Sequence, residues 1–95
     1  MALARVVSFE GVTPARIAEL EQQIGAGERP EGLPAREVIV LYDAEAERSI
    51  AIIFFETEED YVTGDAALSA MPAGETPGRR LTVERYEVAI RESMP

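Results

Sequence analysis

The sequence predicts an α+β domain in which a strand-helix-strand unit is followed by a second one. Three observations predict it. Two apolar runs, Val38-Ile39-Val40-Leu41-Tyr42 and Ile50-Ala51-Ile52-Ile53-Phe54-Phe55, flank a short polar link at 43–48. Two threonines that suit helix starts, Thr13 and Thr57, each follow a strand pattern ending in Phe-Glu. A third alternating segment, 81–91, closes the chain.

The first strand is expected over 5–10, with Val7 and Phe9 on one face and Val6 and Ser8 on the other. A helix follows. Thr13 can accept a hydrogen bond from a free helix-start amide, and Pro14 suits the first helical position. Val12 and Ile17 are placed for a hydrophobic staple. Ile17, Leu20 and Ile24 form one apolar stripe, and Gly25 can end the helix in the left-handed conformation. A Gly- and Pro-rich loop is expected over 25–35.

The second strand is 38–42. The polar link after it reads as a hairpin, so the third strand, 50–55, should pair antiparallel with the second. Thr57-Glu58-Glu59-Asp60 fits a capping box, and its carboxylates favour the positive helix end. Tyr61, Leu68 and Met71 share a face of this second helix. Gly64 inside it costs about 1 kcal/mol against Ala, which close packing on a sheet would justify. Pro72 stops the helix, and 71–80 is turn-rich. In the last strand Tyr86, Val88 and Ile90 alternate with Leu81, Val83 and Ala89. Two interleaved βαβ units in one antiparallel sheet give the ferredoxin-like arrangement, both helices on one face. The whole of 1–95 is one such domain.

The third strand is apolar on both faces, which leaves the helix-free face in need of cover. That face carries either Ile50, Ile52 and Phe54 or Ala51, Ile53 and Phe55. Four large apolar side chains left in water forgo roughly 6–12 kcal/mol, comparable with the stability of a whole domain. The simplest cover is a second copy, sheet against sheet about a two-fold axis. Ile52, Phe54, Phe55, Val83 and Arg85 are the candidate interface residues.

Element order, length, the Phe54-Phe55-Glu56-Thr57 lead into the second helix and a long last strand with Tyr86-Glu87-Val88 carry a family likeness. Over 5–91 the chain resembles the dimeric α/β-barrel superfamily, with its stress-responsive α/β-barrel and antibiotic-biosynthesis monooxygenase-like proteins. The resemblance implies a barrel of two packed sheets and a ligand cleft between each subunit's own sheet and helices. Members that do chemistry often use Trp, Asn or His there, and this chain has none of the three.

Composition narrows the chemistry further. The net charge is −9, with 18 acidic and 9 basic residues, so nucleic acid and anionic membrane surfaces are not expected partners. Without Cys there is no thiolate or disulfide, and without His no imidazole base or ligand. Without Lys there is no Schiff-base amine, and every cation is an Arg fork suited to carboxylates and phosphates. No signal peptide or membrane-length apolar run is read, and a cytoplasmic protein is expected.

Tyr42, Tyr61 and Tyr86, with Arg79 and Arg80, are the candidate ligand-binding residues. The phenols could hydrogen-bond a ligand or donate a proton, but such tyrosines also serve as core or interface residues. The arginines could clamp an anionic group, or pair with surface carboxylates. The acidic groups Asp43, Glu45, Glu47 and Glu58, Glu59, Asp60 read as a polar turn and a helix start, not as metal sites. No phosphate-binding loop is present. The expected function is a homodimer that binds an apolar or aromatic small molecule in the sheet-helix cleft, with no metal or organic cofactor. The alternatives are a cofactor-independent monooxygenase or isomerase and a dimerisation module without a ligand.

Overall fold

In the computed structural model, residues 2–27 and 32–95 are described. Part of the expected loop at 25–35, residues 28–31, lies outside them. The elements run β1 (Leu3–Glu10), α1 (Pro14–Gly25), β2 (Glu37–Asp43), β3 (Arg48–Phe55), α2 (Glu58–Ser69), a 3-10 turn (Ala73–Glu75) and β4 (Arg79–Glu87). This is an α+β fold with one four-stranded antiparallel sheet in the order β2-β3-β1-β4. Sequential strands β2 and β3 pair as the hairpin expected from the 43–48 link. β1 inserts between β3 and β4.

Both helices start where the local chemistry places them. Thr13 Oγ1 accepts from Arg16 N at 3.2 Å and Thr57 Oγ1 from Asp60 N at 3.0 Å. Each bond satisfies one otherwise free amide. The end of α1 differs from expectation. Gly25 is still helical, Ala26 is the cap, and the left-handed residue is Gly27, at φ 81°.

Parity along the central strands sorts the faces. Leu3, Arg5, Val7 and Phe9 on β1 stand opposite Phe55, Ile53, Ala51 and Ser49 on β3, and all eight are buried. Both helices lie on this face. α2 packs Tyr61 and Leu68 against Leu3, Ile53 and Phe55. Val12, at the start of α1, closes a second cluster with Val7, Phe9 and Ala51, against which Ile17 and Tyr42 rest. α1 itself contributes no buried residue.

The opposite face has no helix among the described residues. Ile39, Leu41, Ile50 and Tyr86 are exposed there, with Val6, Ile52 and Phe54 half-buried among them. The chain after β4 covers one corner: the Arg91 guanidinium lies 4.4 Å from the Phe54 ring centroid and pairs with Glu37. β4 is shorter than the alternation implies. Glu87 is opposite Leu3, the first residue of β1, so 88–91 has no strand to pair with beyond one bond from Val88 N to Ala2 O.

Candidate functional site

A cleft of about 720 Å³ opens between the helix side of the sheet and α1. That lies within the roughly 300–1,000 Å³ of small-molecule sites. Val7, Phe9, Val40, Ala51 and Ile53 form its floor. Arg16, Leu20, Gln23 and Ile24, four positions on one face of α1, form a wall. The facing wall is Leu68 from the end of α2, with Met71 and Pro77 from the following loop. Leu20 and Ile24 of the α1 stripe therefore line a cavity, while Ile17 rests against the second core cluster.

Among the described residues four arginines reach this space, and the exposed Arg36 pairs with Glu56. Arg5 is 2% exposed, and its Nε donates to Asp65 Oδ1 at 2.8 Å, with Nη2 to Ser69 Oγ at 3.4 Å. Its charge is neutralised from α2. Arg16 pairs with Glu19, and its Nη2 donates to Glu75 O at 3.0 Å, tying α1 to the 3-10 turn across one end of the cleft.

Arg80 arrives by a different route. The β1–β4 register shifts between Ser8 and Phe9, so Thr82 faces Ser8 but Arg80 faces Phe9, with Leu81 the extra residue. Regular alternation would put Leu81 on the cleft side and Arg80 on the other. The bulge exchanges them, a common device for re-aiming one side chain beside a site. Arg80 Nη2 donates to Leu68 O at 3.3 Å, while its Nε is buried with no partner.

Of the five residues expected to bind a ligand, the cleft brings in Arg80. Arg79 pairs with Glu10 at the sheet edge. Tyr42 donates to Val12 O at 2.8 Å beside the second core cluster. Its pKa is raised, first by burial and then by Glu47 and Asp43. Tyr61 lies edge-on to Phe55, ring centroids 5.5 Å apart. Burial and Asp65 raise its pKa, with Arg5 and Arg85 opposing. Tyr86 is on the helix-free face, where its hydroxyl donates to Glu84 at 2.8 Å and its pKa is raised by that bond.

Of the five expected interface residues, Ile52 and Phe54 lie on the helix-free face. Phe55, Val83 and Arg85 lie on the helix side. Phe55 is wholly buried under α2. Arg85 donates to Glu58 at 3.2 Å and sits 5.0 Å from the Tyr61 ring centroid.

Sequence reasoning missed Arg5 and the cleft role of Leu20 and Ile24. The signal for Arg5 was its parity with Val7 and Phe9, which puts a charge in an apolar row. Asp43 Oδ1 accepts from Glu45 N and Ala46 N in a local turn, and Glu58, Glu59 and Asp60 form the first turn of α2. Among the described residues no group of three acidic side chains is placed to hold a metal ion, and no helix is long and apolar enough to cross a membrane. Comparison with protein-family models, curated proteins and solved structures finds no match.

Proposed function

We propose that this chain is a ferredoxin-like module of the dimeric α/β-barrel kind, and that it binds an apolar small molecule in the cleft under α1. The observation that carries the reading is the cleft itself, floored by five apolar sheet residues and walled by α1. A helix with no buried side chain gains little from packing on its own sheet, so a guest beneath it completes the layer. The antiparallel order β2-β3-β1-β4 with both helices on one face supports the fold assignment.

Binding is favoured over acid-base catalysis. None of the three tyrosines lines the cleft, and its two carboxylate residues among the described ones are Glu37, held by Arg91, and Glu75, exposed at the rim. Homodimerisation through the helix-free face is supported by Ile39, Leu41, Ile50 and Tyr86, each about half exposed. Covering the exposed half of four such side chains is worth roughly 3–6 kcal/mol.

A thermal-shift series with flat aromatic and fatty probes tests the cleft, using the native chain and Val40→Trp, which fills the floor. A rise in Tm with the native chain, lost in the variant, is expected. No rise with any probe, or an equal rise in the variant, overturns the reading.

A further inference from the structure

We propose that the molecule held in the cleft carries a single carboxylate, and that the Arg80 guanidinium receives it. This rests on reading the cleft as a binding site and adds the chemical class of the guest. Arg5, Arg16, Arg36, Arg79, Arg85 and Arg91 each have a carboxylate partner. Among the described residues, Arg48 and Arg80 do not. Arg48 is exposed on the hairpin, where water solvates it. Arg80 is half-buried and lines the cleft.

The chain has twice as many acidic residues as basic ones, 18 to 9, yet none of the described ones pairs with Arg80. A guanidinium has five N–H donors. The sole acceptor that Arg80 has among the described residues is Leu68 O, at 3.3 Å. A partly desolvated cation beside apolar walls is costly unless paired, and a planar fork matches a carboxylate. The bulge at Leu81 is what turns this side chain into the cleft.

One charge fits better than two. Arg5, Arg16 and Arg36 are already neutralised by Asp65, Glu19 and Glu56, Glu37 is paired with Arg91, and Glu75 adds negative potential at the rim. A dianion would meet that field with one free cation among the described residues that line the cleft. The guest is therefore an apolar body with one carboxylate head.

Isothermal titration with decanoate and 1-decanol tests this on the native chain, Arg80→Met, Arg80→Lys and Arg48→Met. The native chain and Arg48→Met should bind decanoate at least about tenfold more tightly than decanol, a difference of about 1.4 kcal/mol. Arg80→Met should bind the two alike, and Arg80→Lys should keep part of the preference. Equal affinities in the native chain, or a preference that survives in Arg80→Met, overturn the carboxylate assignment and leave the cleft reading intact. Binding of neither probe overturns both.

Discussion

Phe55 and Gly64 are in such close contact that a β-carbon on Gly64 would lie 2.2 Å from Phe55 Cε1. Phe55 has no exposed surface, and its ring is also held edge-on by Tyr61. The helix glycine thus lets α2 settle onto β3. Gly64→Ala gains about 1 kcal/mol in helix propensity but forces the ring to move, at a typical cost of about 1–3 kcal/mol. Net destabilisation of up to about 2 kcal/mol is expected in urea melts. The loss should shrink in a Phe55→Leu background, because the two residues couple directly. An additive double mutant would contradict the contact.

Arg5 depends on Asp65. Removing the carboxylate leaves a buried guanidinium with Ser69 as its remaining polar partner. Asp65→Ala should destabilise by about 1–3 kcal/mol, the range for a charge-assisted bond with one part-exposed partner. Adding Arg5→Met should restore much of that loss, since no uncompensated charge remains. Denaturant melts of the two variants decide it, and a double mutant less stable than Asp65→Ala would refute the account.

Leu41 is 51% exposed on the helix-free face of the edge strand β2. Leu41→Glu therefore leaves the subunit's core intact while placing a charge where a second sheet would lie. In light scattering the native chain should have twice the monomer mass at micromolar concentration, and the variant the mass of one chain. Circular dichroism should match between them. A monomeric native chain would remove the sheet-to-sheet assembly.

All three tyrosines have pKa values raised above 10.0. The folded state then holds its phenolic protons more tightly than the unfolded state. The stabilisation is complete below about pH 10 and fades as pH rises through the folded pKa values. Tyrosinate absorbance near 295 nm should appear at higher pH in the folded chain than in urea. Coincident titrations would refute the burial and carboxylate effects described for these residues.

Much of this fold is legible because its signals are local. Thr13-Pro14 and Thr57 cap their helices through bonds to the third residue on, and the hairpin at 43–48 needs only its polar link. The close packing at Gly64 was also readable, as a glycine with no other reason to stand in a helix. The faces of β3 were not, because a strand apolar on both sides has no parity to read. Phe54 and Phe55 differ only in what the rest of the chain lays over them. The bulge at Leu81 carries no glycine and breaks no pattern of residue types, so Arg80 reads as a loop-edge cation until the register with Phe9 is known. The stripe on α1 was readable as apolar, but whether a core or a cavity lies beneath it depends on the distance between layers.

That stripe has a kinetic consequence. α1 is anchored by the Val12 plug, by Ile17 and by the Arg16 bond to Glu75 O. It can lift without exposing Phe55, which lies beneath α2 with Tyr61, so its opening costs less than global unfolding. A guest would then leave at the rate at which this roof rises, whatever the strength of its own contacts below. Affinity would belong to the sheet and Arg80, and residence time to α1, so substitutions at Arg16 would change how long a guest stays more than how tightly it is held.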